Sequence, residues 1–328
     1  MKEAEVIAGR YFSRGVRWNI AALIFGMHAL AVAGLLLPSY EGVWLAIVLW
    51  YVTGFGVTVG YHRYFTHSSF TTRYVWVHRM LAFTGLLSGE GDVLEWVVNH
   101  TKHHAHSDTP EDPHSPLFGG RWFGPFYAHV GWTVDKKHND LRKAGKLVND
   151  PFLKYLWRTY SRWHWMLIFA LALCGFLFGY FIRVDTFLWW RWERVVLSPL
   201  WSAAYYAGSF VGYGYFARIV LVLNATWLVN SLSHMSGSQP YETGDNSRDN
   251  LVVAILSHGE GWHNAHHAEP RSYRHGQGWL KFDLSACVIE CMWLLGLAEN
   301  LQPFKASPRK ITEKKPKAGR KRTEDIVS

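Results

Sequence analysis

The sequence predicts an all-α integral membrane protein: four transmembrane helices carrying a cytoplasmic helical cap. Three observations lead there. Of 328 residues, 49% are hydrophobic, yet the mean hydropathy is −0.05, as expected when apolar spans are averaged with a strongly polar remainder. The formal net charge of +9 is concentrated at the two ends. Half of the 18 histidines fall in four short clusters outside the apolar stretches.

A helix rising 1.5 Å per residue needs about 20 apolar residues to cross a bilayer. Four stretches qualify, at about residues 19–38, 43–60, 164–182 and 199–223; the last contains one charge, Arg218. The first two are joined by only four residues, so they form an antiparallel hairpin. An even number of spans puts both termini on one side. Residues 1–20 carry Lys2, Arg10, Arg14 and Arg17 against Glu3 and Glu5, and residues 305–328 hold nine Lys and Arg against Glu313, Glu324 and Asp325. Basic flanks mark that side as cytoplasmic and account for the charge without a nucleic-acid partner. Arg183, Arg191 and Arg194, between spans three and four, run against the bias. Residues 62–162 and 224–304 then form the cap, giving a single domain over residues 1–304 and a basic, disordered tail at 305–328. Two shorter apolar runs, 74–87 and 284–297, suit interfacial helices. No cleavable signal is expected, since the first apolar run is long and no small-residue cleavage site follows it. Three cysteines without paired spacing exclude a disulfide framework and a cysteine–zinc site.

The clusters are His62 and His67 in HRYFTH; His100, His103 and His104 in HTKHH; His234 in NSLSH; and His263, His266 and His267 in HNAHH. Spacing of i, i+3 and i+4 sets three imidazoles on one helix face. Two such triplets facing each other supply six nitrogen ligands. His62 and His67, five apart, are separated by about 140° on an ideal helix, so they are expected where a helix ends or bends. Any one of these histidines is more simply read as a hydrogen-bonding loop residue. Nine together, all on the cytoplasmic face, are not. One metal takes fewer ligands, so the count implies two metals. No HExxH is present, which argues against a zinc protease. A redox-active pair at a membrane surface points to oxygen chemistry on a lipid, hence to iron.

At this point the sequence resembles the membrane fatty acyl desaturases, most closely the stearoyl-CoA (delta-9) acyl-CoA group. The resemblance rests on HRYFTH (62–67), EWVVNHTKHH (95–104), DPHSP (112–116), HVGW (129–132), LNATWLVNSLSH (223–234) and GEGWHNAHH (259–267). It implies four spanning helices, a cytoplasmic cap, two non-haem iron ions, and dioxygen as co-substrate in placing a cis double bond in a saturated acyl chain. Carried over by residue, it makes His62, His67, His100, His103, His104, His234, His263, His266 and His267 iron ligands. Asn230, four residues before His234, approaches one iron through a water. Glu90, Asp92, Glu95, Asp108, Asp112 and Glu260 are candidates to orient the imidazoles.

Attack on an unactivated methylene calls for a dry, shaped tunnel. The resemblance lines and bends it with Trp96, Thr226 and Trp227. Its end is expected between spans one and two, where Trp50 and Gly54 face the interior one turn apart and Trp50 helps to set acyl length. The acyl-CoA enzymes generally read D-H-R-x-H-H at the second box, whereas this chain reads Asn99-His100-Thr101-Lys102-His103-His104. Lys102 is expected to replace the missing positive charge, with Arg121, Lys136, Lys137, Arg142 and Lys143 as further phosphate contacts. Acyl-CoA is therefore the expected substrate, with acyl-lipid and acyl carrier protein as alternatives. The chain has neither a dinucleotide fingerprint nor a CxxC-type cluster site, so electrons must come from a separate donor, a ferredoxin or a b-type cytochrome with its reductase. The basic stretch 136–146 would attract an acidic donor. A fatty acyl hydroxylase would use the same metals and differ in product. A metal-dependent receptor or transporter would need ionisable residues deep in the spans, where only Arg218 and His28 qualify.

Overall fold

A computed structural model describes residues 11–136, 139–182, 185–188 and 193–307. Lys2, Arg10, Lys137, Arg183, Arg191 and the predicted tail from residue 308 onward lie outside them. In chain order the helices are α1 (Trp18–Gly34), α2 (Tyr40–Phe55), α3 (Val75–Leu86), α4 (Val93–His106), α5 (Gly120–Phe126), α6 (Pro151–Phe181), α7 (Pro199–Val211), α8 (Arg218–Ser231), α9 (Leu251–Leu256), α10 (His263–Ala268) and α11 (Leu284–Leu294). A short antiparallel pair, β1 (Asp185–Leu188) and β2 (Glu193–Val196), joins α6 to α7. Among the described residues, three helical rods are long and apolar enough to cross a membrane: Tyr40–Thr66, Pro151–Phe181 and Pro199–His234. Helix α1 is apolar but has 17 residues. It stops before Pro38, whose ring disfavours helical backbone in the residue ahead of it.

Two of these rods are longer than their apolar cores, because local chemistry extends them into polar sequence. Helix α6 starts at Pro151, well before residue 164. The Asp150 carboxylate caps it by accepting from the Phe152 and Leu153 amides at 2.7 and 3.1 Å, and proline suits the first helical position. Lys154, Arg158 and Arg162 in the first turns hide this start from a hydropathy reading. The rod through α7 and α8 likewise does not stop at residue 223. It runs through a π-helical segment (Gly212–Ala217) and α8 to a closing 3₁₀ turn (Leu232–His234), and so carries Asn230 and His234 on the same rod.

The most consequential departure from expectation concerns His62 and His67. His67 is the residue on which a helix ends, as expected, but His62 lies inside that helix. Helix α2 winds directly into a π-helix, Gly56–Thr66. Bonding from i to i+5 turns a five-residue spacing into one turn. The His67 amide donates to the His62 carbonyl at 3.1 Å, the Thr66 hydroxyl to the Tyr61 carbonyl at 2.8 Å, and the two imidazole rings stand 4.9 Å apart.

Small residues let the rods touch backbone to backbone. A Cβ on Gly34 would lie 2.5 Å from the Gly212 Cα, and Cβ atoms on Gly175 and Gly179 would lie 2.3 and 2.4 Å from the Tyr206 and Ser202 carbonyl oxygens. Close approach of this kind gives helices in lipid their packing contacts. Arg218, His28 and His164 each find hydrogen-bond partners close by, although the Arg218 Nη2 is buried without one. Arg218 donates to the Gly214 carbonyl, which the π-segment frees, at 3.1 Å and to the Leu87 carbonyl at the end of α3 at 2.5 Å. His28 bonds the Ile24 carbonyl and Asn224, and His164 bonds Tyr215 and the Leu86 carbonyl. Gly34→Ala is expected to lower the midpoint of thermal unfolding in detergent, by the equivalent of about 1–3 kcal/mol for overpacking, whereas Gly26→Ala, with nothing within 4 Å of its Cβ, leaves it unchanged.

Candidate metal centre and adjoining cavity

The π-helix, α4, α10 and the turn after α8 converge on one buried space. Two histidine groups form there: His62, His67, His100, His104 and His266 in one, His103, His234, His263 and His267 in the other. Within each group the candidate ligand atoms lie within 4.8 Å of one another. The i, i+3, i+4 triplets do not face each other as two intact sets. Each is divided: His100 and His104 go to the first group and His103 to the second, while His266 goes to the first and His263 and His267 to the second. Residues i and i+4 bracket one point beside a helix, and i+3 leans toward its neighbour. The Nε2 atoms of His62 and His266 are 3.0 Å apart, as are those of His67 and His100, and those of His234 and His263.

What aims these nitrogens inward is a ring of carboxylates behind them. Nδ1 meets a carboxylate oxygen in four rings: His62 with Glu260 at 2.5 Å, His103 with Asp112 at 3.1 Å, His234 with Asp108 at 3.0 Å and His267 with Asp245 at 2.5 Å. A carboxylate accepts, so each of these Nδ1 atoms carries the proton and each Nε2 presents its lone pair. The Nδ1 atoms of His263 and His266 are buried without a protein hydrogen-bond partner. Burial first, and neighbouring imidazoles second, hold His100, His104, His263 and His266 well below the usual histidine range. Burial takes His267 down to about 4 against the pull of Asp245. His103 is the exception: burial would lower it, but the carboxylates of Asp112, Asp108 and Asp245 together raise it. Burial would raise Glu260, yet the Arg63 guanidinium, then His62 and His275, hold it well below the usual carboxylate range. Mostly neutral imidazoles with fixed tautomers, in two groups of five and four, are a donor set suited to two nitrogen-preferring metal ions.

Of the six acidic residues singled out from sequence, Asp108, Asp112 and Glu260 touch ligand rings. Asp92 instead caps α4, accepting from Leu94 and Glu95 amides, and Glu95 is exposed. Glu90 pairs with Thr226, and its Oε1 is buried without a partner; burial pushes its carboxyl up to about 8. Sequence reasoning missed Asp245, which sits in a polar loop with only a Gly-Asp turn to mark it, and His275, which contacts Glu260 at 3.4 Å and Arg63 at 3.0 Å. It also missed His114, whose ring lies 4.4 Å from that of His103.

A cavity runs from this centre along α2. One wall is Trp50, Gly54, Val57, Thr58 and His62; a second is Val222, Ala225, Thr226, Val229 and Asn230 on α8; Trp96 and His100 from α4, and residues 256–258, 260 and 263, complete it. Trp96 stacks on His100 with centroids 4.8 Å apart. Trp227 does not line the cavity. The helical stripe 222, 225, 226, 229, 230 faces it, and Trp227 points away into a cluster with Leu171, Tyr215, Ile219 and Leu223. Lys102 is half-buried on α4 outside the lining. Asn99, where the acyl-CoA enzymes have aspartate, accepts from the Asn139 amide at 3.0 Å. Arg142 is already forked onto Asp140, with contacts of 2.9 Å from Nε and Nη2.

Fold and site define a class: membrane-type helical proteins in which two histidine groups lie at one end of a largely apolar cavity. The chain belongs to the fatty acid desaturase family, whose model matches residues 42–278. It is 34% identical over 294 residues to the sn-1 stearoyl-lipid 9-desaturase of Anabaena variabilis, covering 88% of this chain and 94% of that one. It is 34% identical to an acyl-CoA 5-desaturase of Anemone leveillei (89% and 82% covered) and 33% identical to acyl-CoA desaturase 1 of Tachysurus fulvidraco (87% and 80%). The family is one of oxidoreductases in lipid metabolism.

Two outcomes follow from this geometry. Asp245→Asn is expected to lower metal affinity by about 10–100-fold with the helical circular dichroism intact, checked by metal content per chain after graded chelator treatment. For Glu90, a folded pKa above the unfolded one means that the folded state holds the extra proton between about pH 4.5 and 8, so stability falls as pH rises through that window. Glu90→Gln is expected to flatten the decline, read as the unfolding midpoint in detergent across that range.

Proposed function

We propose that this protein is an oxygen-dependent desaturase that inserts a cis double bond, at carbon 9, into a saturated acyl chain. The observation carrying this reading is continuity: the cavity that begins at Trp50 and Gly54 ends on His62, His100, His263 and Asn230, so a chain lying in it brings a methylene to the histidine groups. His62, His67, His100, His104 and His266 would hold one iron ion and His103, His234, His263 and His267 the other, with Asn230 placed to approach one of them through a water. Bound iron supplies the redox chemistry that couples reduction of dioxygen to removal of two hydrogens from the acyl chain. The chain's own part is to keep the ligand rings oriented by the carboxylates on Nδ1, to hold the substrate in a bent path past Trp96 and Thr226, and to exclude water with the apolar walls. A separate donor, a ferredoxin or a b-type cytochrome with its reductase, brings the remaining two electrons per turnover to the cytoplasmic face. Helix α1 joins the three longer rods as a fourth span, with the cap and both termini cytoplasmic.

Acyl-CoA is the first substrate to test. An acyl-lipid substrate is the second reading, and particular observations favour it: Asn99 engages Asn139 and Arg142 is taken up by Asp140, which leaves fewer groups for a thioester nucleotide, and the cyanobacterial relative named for a stearoyl-lipid matches over nearly its whole length. Expressed in a host lacking its own desaturase, with iron and a donor supplied, the chain is expected to yield a new monounsaturated fatty acid, located by gas chromatography–mass spectrometry. A hydroxy acid, or no product, would overturn the reading. His266→Ala is expected to abolish the product while the chain still inserts into membranes, and Trp50→Ala to change the chain-length profile.

A further inference from the structure

Beside Trp50 and Gly54 the cavity is lined by a residue that the histidine boxes do not include. His258 is 3% exposed and lines the cavity together with Trp50 and Gly54. Its ring packs on three aromatic side chains of α2, with centroids 4.6 Å from Trp50, 5.2 Å from Tyr51 and 5.0 Å from Phe55. It also fills the space that Gly54 leaves: a Cβ at position 54 would lie 2.3 Å from the His258 Cε1. The absence of a side chain at Gly54 and the ring of His258 are thus two halves of one fit.

The backbone at this point is built to hold the ring there. His258 has φ 57°, the left-handed region that a residue with a Cβ occupies only when its surroundings require it. Its carbonyl accepts twice from Ser285, from the amide at 2.9 Å and the hydroxyl at 2.9 Å, and the Ser285 hydroxyl meets the Thr58 hydroxyl on the cavity wall at 2.7 Å. Gly259 follows at φ 116°, where a Cβ would meet the Asp283 carboxylate at 2.4 Å. The His258 Nε2 and the Trp50 Nε1 are both buried without a hydrogen-bond partner, so no polar contact of either atom explains why the two rings sit here. Burial lowers His258 to about 4, which makes it a neutral ring at physiological pH.

We infer that His258 is a specificity-determining residue: its ring, wedged against Gly54 and Trp50, is the stop that sets the longest acyl chain the cavity accepts. The inference rests on the reading of this cavity as the acyl site. Removing the ring deepens the cavity without touching the histidine groups, so the double bond keeps its distance from the carboxyl end while longer chains gain access. A pocket discriminates about tenfold or more per misfitting methylene.

The test is the product profile of the full-length protein in the desaturase-deficient host, fed a graded series of saturated fatty acids. His258→Ala is expected to raise products about two carbons longer than the native one by roughly tenfold relative to it, with the double-bond position unchanged. His258→Phe, which keeps a flat ring and loses the nitrogens, is expected to retain the native profile. His258→Val keeps an apolar side chain without the ring and is expected to follow the alanine variant should that one fail to accumulate. An active alanine or valine variant with the native profile overturns the inference, and so does a phenylalanine variant that shifts as alanine does. If Trp50→Ala moves the profile and the ring-less variants do not, the role of His258 alone fails. If none of them moves it, the acyl reading of the cavity fails.

Discussion

The whole arrangement depends on one constraint: nine imidazoles are brought into a buried space with Nε2 facing inward, and most are held neutral. Neutrality comes from burial, because a charged ring is expensive away from water. Orientation comes from carboxylates on the opposite nitrogen. The carboxylates must themselves stay ionised in the same buried setting, and each does so because a cationic or proton-bearing partner faces it. Glu260 has Arg63 and His62, Asp112 has His103, and Asp245 has His267 with Ser247 and Thr243. The ring of acids and the groups of imidazoles therefore stabilise each other's protonation state, and neither would persist alone.

The rest of the fold follows from delivering those side chains. The π-winding of Gly56–Thr66 brings His62 and His67 onto one side of a rod that also provides the cavity wall below them. The extension through α8 carries the sequence LNATWLVNSLSH up from the apolar region, with one face on the cavity and the opposite face in the core at Trp227. Arg218, buried in that rod, ties it to the end of α3 and so to the loop carrying Glu90 and the Asp92 cap of α4.

Several histidines outside the boxes now have partners. His28 joins α1 to α8 through Asn224; His78 bridges Tyr64 and Asp150, linking the π-helix to the cap of α6; His164 links α6 to α3 and Tyr215. His275 backs Glu260, and His258 lines the cavity. The excess of histidine in the composition is therefore only partly a matter of metal ligands. In a chain with so few charges in its apolar half, a neutral imidazole is a buried hydrogen-bonding group that carries little ionisation cost.

What the sequence by itself determined is periodic or local: the long apolar rods and the membership of each histidine in a cluster. Hydropathy and histidine spacing act within a few residues along the chain, so they are legible there. Only the tertiary structure decided how the triplets divide between two groups, that a π-helix brings His62 and His67 together, that Asp245 and not Glu95 meets a ligand ring, and that Trp227 faces away from the cavity. Helical spacing gives a side chain's direction about its own axis. Which of two nearby points it approaches depends on where the neighbouring helices lie, and the close glycine contacts between the rods set that distance.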